Sequence, residues 1–300
     1  MFEPVEPPSA QFIDLHSHTT ASDGSLSPQE LVELAKRSDL AALAITDHDT
    51  FDGYEAALPY ARALGLNLIR GIELNSRLFL TPGNPAISAH MLAYFPDRDP
   101  SPAFLAWLFG ERDDRRNRNR LLVEALRNRG IDITLEEVEA RGRSMAGRTH
   151  FAQVLVEKGF AQNSEDAFRR YLGESAPSYV ERQSVATREL IGLVRLGGGL
   201  PVIAHPIRLR LAREIESKVF SDLKHAGLIG LEVYHSDHPP EAQAHYHQLA
   251  LELGLLPTGG SDFHGKAKPK ISLGTGLNGN LRVPLAFLQA LREVPTTVSH

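Results

Sequence analysis

Phe12-Ile13-Asp14-Leu15-His16-Ser17-His18-Thr19-Thr20-Ala21-Ser22-Asp23-Gly24 is the stretch on which the reading of this chain turns. Residues 12–15 read as a short buried strand. His16 and His18 stand two apart, so on an extended backbone both imidazoles leave the same face. Side by side at a strand end, two histidines can hold one metal ion. Asp23 follows in a Ser/Asp/Gly turn that can bring a carboxylate back over them. The next helix is well signalled: Ser27 caps it, Pro28 fits its first position, and Glu30 completes a capping box. A strand that delivers ligand-type side chains at its carboxyl end and then enters a helix has the layout of a barrel active site.

Downstream the pattern repeats. Residues 40–46 form a continuous apolar run, as expected of a parallel strand covered on both faces, and it stops at Asp47-His48. A helix over 53–64 ends at Gly65. A third strand over 66–74 carries Glu73 near its end, and a fourth over 87–95 carries His90. After a long interruption, a helix over 187–196 leads into a strand at 200–204, followed by His205-Pro206. The strand 230–234 ends at His235. The strand 255–258 runs into Gly259-Gly260-Ser261-Asp262-Phe263-His264, and a last helix covers 284–292. Alternating strands and helices imply a parallel α/β sheet or barrel. Residues 1–99 and 183–300 are assigned to that barrel. The interruption, 100–182, has a helical pattern throughout and reads as an inserted cap. It carries Arg115, Arg116, Arg118, Arg120, Arg143 and Arg148. Glu111, Asp113 and Asp114 are mixed into the run after 111, which makes it a solvated helix face. Arg148 and His150 lie outside the run and are better placed to meet a substrate.

Composition narrows the function. Three hundred residues bury a large core, as one domain or as one domain with an insertion. There is no cysteine, which excludes disulfides, thiolate metal sites and a cysteine nucleophile, and fits a reducing compartment. The chain shows no signal-peptide pattern and no apolar run long enough for a membrane, so a cytoplasmic protein with no membrane partner is expected. The net charge of −5 argues against a general binder of long duplex nucleic acid.

His16, His18, Asp23, Asp47, His48, Glu73, His90, His205, His235, Asp262 and His264 all fall at or near the ends of the expected strands. Each alone has an ordinary structural explanation. Together they do not, because strand ends of a barrel converge on one rim. So many carboxylates and imidazoles in one pocket need cations between them. Without thiolates such a cluster suits Zn, Mn or Fe, and it can activate a water and clamp phosphoryl oxygens.

The motifs Asp14-Leu15-His16-Ser17-His18, Thr46-Asp47-His48-Asp49, Glu73, Ala204-His205-Pro206 and Gly260-Ser261-Asp262-Phe263-His264 resemble, in order, those of the PHP (polymerase and histidinol phosphatase) metal-dependent phosphoesterases. The resemblance implies a distorted (β/α)7 barrel with three divalent ions, manganese first among the choices. It implies His16, His18, Glu73 and Asp262 at the first ion. Glu73, His90 and His205 would hold the second, with Glu73 bridging, and Asp23, His48 and His264 the third. The insertion with Gly147-Arg148-Thr149-His150-Phe151-Ala152 resembles the branch of 3′,5′-nucleotide bisphosphate phosphatases and 5′-to-3′ RNA exonucleases, which usually has proline where Thr149 stands. It implies that Arg148, His150 and Arg208 hold substrate phosphate and that the partner is a nucleotide or short RNA. A water activated by the metals would attack phosphorus, and His235 either protonates a leaving group or only packs nearby. Histidinol-phosphate phosphatase is the competing enzyme reading, and a non-catalytic polymerase accessory module is the competing non-enzyme one.

Overall fold

The computed structural model describes residues 11–80, 86–142, 146–181 and 185–295. Arg143 and the domain boundary expected at 182–183 fall outside them. The first half-barrel is β1 (Phe12–Asp14), α1 (Pro28–Arg37), β2 (Ala42–Ile45), α2 (Asp52–Leu64) and β3 (Asn67–Leu78). Its local signals operate as chemistry dictates. The Ser27 side chain accepts from the Glu30 N–H while Glu30 reaches back to Ser27. Gly65 ends α2 with φ of 62°, a conformation that favours glycine.

β4 (Ile87–Phe95) departs from expectation. It runs antiparallel to both neighbours, β3 and β5 (Leu200–Ile203). β3 is also longer than the sequence suggested, so Glu73 lies mid-strand, opposite Leu92. The remaining barrel elements are α7 (Thr187–Leu196), α8 (Arg213–His225), β6 (Gly230–His235), α9 (Pro240–Leu253), β7 (Leu256–Gly260), the short β10 (Val283–Pro284) and α10 (Leu285–Glu293), while β8 (Ile271–Ser272) and β9 (Gly276–Leu277) pair in a small sheet of their own. The sheet order is β10-β1-β2-β3-β4-β5-β6-β7. Main-chain bonds from Leu15 N–H to Gly259 carbonyl (3.2 Å) and from Asp262 N–H to His16 carbonyl (2.8 Å) bring β1 back against β7. The sheet is therefore a nearly closed barrel. Gly260 permits this closure: a Cβ there would sit 2.2 Å from the His16 nitrogen.

Between β4 and α7 lie α3 (Pro102–Arg127), α4 (Leu135–Gly142), α5 (Arg148–Glu157) and the short α6 (Ser164–Ala167). Among the described residues 100–181 there is no strand. These helices pack Leu122, Leu126, Val138, Phe151 and Leu155 into a cluster of their own. The first turns of α3 belong elsewhere: Phe104 and Leu108 pack into the barrel's largest core. Among the described residues no helix is long and apolar enough to cross a membrane.

Candidate metal centre

The ligand-type residues meet at the rim where β1, β2, β5, β6 and β7 end, with β3 and β4 passing through it. Three overlapping groups of the expected ligands have donor atoms within 4.8 Å of one another: His16, His18, Glu73 and Asp262; Glu73, His90 and His205; His18, Asp23, His48 and His264; a fourth such group joins His16, Glu232 and His235. All nine expected ligand residues are in these groups. His18 reaches the third group as well as the first, which the sequence did not suggest.

Glu73 is buried and splits its oxygens between two sides. Oε1 lies 2.8 Å from His90 Nδ1 and 3.0 Å from His205 Nε2. Oε2 lies 3.3 Å from His16 Nε2, 3.2 Å from His18 Nε2 and 3.3 Å from His48 Nδ1. Asp262 is divided too: Oδ1 is 3.5 and 3.4 Å from the Nε2 atoms of His16 and His18. Its Oδ2 accepts from Lys268 Nζ (2.6 Å) and Arg208 Nη2 (3.1 Å). Asp23 meets His264 Nε2 at 3.2 Å.

Whether these residues fit metal ions is decided by three atoms. His16 Nε2, His18 Nε2 and His48 Nδ1 are buried, lack a hydrogen-bond partner and face carboxylate oxygens. Buried polar atoms left unpaired are costly, and a cation between nitrogen and oxygen satisfies both. For two of these histidines the other ring nitrogen is engaged, which leaves the facing one free. His16 Nδ1 donates to Glu232 at 2.7 Å, and His18 Nδ1 lies 3.4 Å from Ser22 Oγ. Such outer contacts fix the tautomer a metal needs. The residues fit.

Electrostatics agree. Burial pushes Glu73 up, but His48, His16 and His90 hold it well below the usual carboxylate range. Asp23 and Asp262 are likewise held low, against burial, by His264 and by Lys268 in turn. Burial drives His48 down to about 4. Burial opposes charge on His18 as well, yet the facing carboxylates of Asp262 and Glu73 raise it to about 9. The same carboxylates that favour a proton on His18 also favour a cation beside it.

Two of the ligand residues carry backbone strain. His205 has φ of 29° and Asp262 of 56°, both in the region L side chains avoid. Three buried carboxylates missed or misplaced by sequence reasoning hold the loops. Glu232 also accepts from the His205 N–H at 2.6 Å. Asp14 accepts from the backbone of His16, Ser261 and Gly274. Asp47, counted above among the convergent residues, turns away from the groups. It accepts from Thr19 N–H (2.7 Å) and Ser22 Oγ (2.6 Å) and so fixes the loop that carries Asp23.

A cleft of about 230 Å³ opens beside His48 and His90, with Arg77, Arg115, Arg118 and Arg148 in its walls. Arg115 and Arg118 are buried, so this part of the arginine run is not the solvated face expected. Arg115 pairs with Asp49. Arg116 and Arg120 do stay on the outside, against Glu139 and Asn117. Arg148 lies over the Tyr179 ring at 5.6 Å. His150, expected at substrate phosphate, is buried, its Nδ1 accepts from the Gly147 N–H at 3.0 Å, and it is not among the residues that line the cleft. Thr149 Oγ1 donates to Asp23 Oδ2 at 3.3 Å. His235 Nδ1 accepts from the Asp237 N–H at 3.0 Å, which leaves Nε2 to donate towards Asp262 Oδ2 at 3.4 Å.

A barrel rim crowded with imidazoles and carboxylates in overlapping groups defines a metal-dependent phosphoesterase. The chain belongs to the PHP domain family, whose profile matches residues 14–176. It is 32% identical to the 3′,5′-nucleoside bisphosphate phosphatase of Chromobacterium violaceum, over 84% of this chain and 87% of that one. It is 34% identical to the 5′-3′ exoribonuclease Rnm of Escherichia coli, over 89% and 90%. A solved structure from Bifidobacterium adolescentis, described as a metal-dependent phosphoesterase, superposes with a TM-score of 0.80 at 34% identity, covering 97% of this chain and 99% of that one.

Proposed function

We propose that this chain hydrolyses nucleotide phosphates: the 3′-phosphate of 3′,5′-bisphosphonucleotides, and the 5′-terminal linkage of short RNA. The observation that carries this is the arginine cleft adjoining the ligand groups, with His48, His90 and Asp23 common to both. Relatives named for a nucleoside bisphosphate phosphatase and for a 5′-3′ exoribonuclease support it. Three divalent ions, manganese by preference, would be held by the three groups; such ions activate water and neutralise charge on a phosphoryl group.

The chain's own residues do the rest. Arg148, Arg115 and Arg118 hold the 5′-phosphate, for which a guanidinium offers a planar fork. Tyr179 and Phe168 give the cleft aromatic surface for a base. The later turns of α3, with α5 and the segment to Val180, act as the cap over this cleft. His235, with its proton on Nε2, orients Asp262 rather than the substrate. A small amino-alcohol phosphate has no use for an arginine-lined cleft, which is why histidinol phosphate is the lesser candidate.

The test is a phosphate-release screen with added Mn, using 3′,5′-bisphosphonucleotides, histidinol phosphate and short 5′-phosphorylated RNA. Preference for histidinol phosphate overturns the reading. In Arg148→Ala, kcat/KM for the bisphosphonucleotide should fall about tenfold further than for p-nitrophenyl phosphate, chiefly through KM, because the generic ester has no second phosphate to lose. Equal losses on the two esters would assign Arg148 to the fold instead.

A further inference from the structure

The ligand groups are not at the end of a blind pocket. They floor a second cavity of about 340 Å³, whose outer rim is polar and comes from different elements. Arg208 follows β5, Lys268 follows β7, and Gln153 and Ser164 come from α5 and α6. The arginine cleft lies over β3 and β4 instead, and the two spaces share Asp23, His48, His90 and Thr149. A substrate phosphate over the ligand groups therefore has room to continue in two directions. Asp262 arranges this rim through its second oxygen. While Oδ1 faces His16 and His18, Oδ2 anchors Lys268 and Arg208, and Arg208 Nε is steadied by Asp237 at 2.7 Å. Both cations stay about one-third exposed, with side-chain accessibilities of 35% and 38%. Each keeps N–H donors beyond those spent on carboxylates.

We propose that Lys268, Arg208, Gln153 and Ser164 form a subsite for the second nucleotide of an oligonucleotide, the one esterified to the phosphorus under attack. This rests on the nucleotide reading above. In both reactions water adds to phosphorus and the bond from phosphorus to O3′ of the first nucleotide breaks. O3′ keeps the electron pair and takes a proton, and the water oxygen stays on phosphorus. With a bisphosphonucleotide the products are a nucleoside 5′-phosphate and inorganic phosphate. With RNA the phosphorus carries the second nucleotide, so the products are a nucleoside 5′-phosphate and a chain one residue shorter with a new 5′-phosphate. The first nucleotide occupies the arginine cleft in both cases. Only RNA fills the second subsite, and its product already bears the 5′-phosphate that the cleft recognises.

The test measures binding of 5′-phosphorylated mono-, di- and trinucleotides with hydrolysis-resistant linkages to the Mn-loaded protein, alongside kcat/KM for a 3′,5′-bisphosphonucleotide and a 5′-phosphorylated trinucleotide. The second nucleotide should tighten binding by about tenfold, the value of one charge-assisted contact, and the third should add little. Lys268→Ala and, separately, the exposed Gln153→Ala should each reduce that gain and lower the ratio of trinucleotide to bisphosphonucleotide kcat/KM. No gain from the second nucleotide overturns the subsite. So does an equal loss on both substrates in Lys268→Ala and Gln153→Ala. If neither substrate is hydrolysed but the length-dependent gain appears and vanishes in both variants, the subsite stands and the hydrolytic reading falls.

Discussion

Glu73 divides its oxygens between two sets of histidines, and that division sets what its loss should do. A glutamine keeps one acceptor oxygen and turns the other into a donor aimed at imidazole nitrogens. Glu73→Gln should therefore weaken metal at two groups, on the order of 10- to 100-fold in affinity, whereas His90→Ala touches one. Elemental analysis of the two proteins, purified without chelator, checks this; greater loss from His90→Ala would show that Glu73 does not bridge. At this scale the sequence was highly legible. Histidines and acids at strand ends stand out because nothing else in a strand needs them. Glu232 was not legible, because its work on His16 spans 216 residues of chain. Its one signal was a lone carboxylate inside the apolar run Leu231-Glu232-Val233.

Elements were legible in kind but not in direction. Strand periodicity is the same for parallel and antiparallel pairing, so β4 was read as one more parallel strand. Its loop held the clue. Only residues 79–86 join β3 to β4, whereas a parallel crossover needs a dozen or more. The α4–α5 corner shows the opposite situation, where contact alone decides. A Cβ on Gly142 would lie 2.7 Å from His150 Nδ1, on a ring pinned by Gly147. Gly142→Ala should cost about 1–3 kcal/mol, as overpacking does. Urea unfolding measures it, and an unchanged midpoint would show that the His150 ring is not fixed. Because α5 begins at Arg148, the same change should also raise KM for the bisphosphonucleotide.

Across the whole molecule, acid sensitivity has a source outside the metal centre. Burial lowers His238 to about 4 from the ordinary 6.5, and its Nδ1 donates to the Val233 carbonyl at 2.7 Å. Its pKa is depressed, so the unfolded chain takes up the proton first. The stability it contributes is complete above pH 6.5 and is lost as pH falls from 6.5 towards 4. His238→Asn keeps a donor for Val233 but cannot titrate. Its melting temperature should fall less steeply across that window than the wild type's, and parallel slopes would refute the assignment.

α3 is about 39 Å long at 1.5 Å per residue. It is rooted at one end by Phe104 and Leu108 in the barrel and at the other by Leu122 and Leu126 in the helical cluster, with Arg115 and Arg118 between. A rod clamped at both ends cannot slide. The span from its guanidiniums to the histidine rim is therefore machined during folding, before any substrate arrives. On the function proposed above, the protein would work as a caliper: it would gauge the separation of two phosphates on one sugar, and a molecule whose phosphates stand too close or too far apart would touch only one jaw.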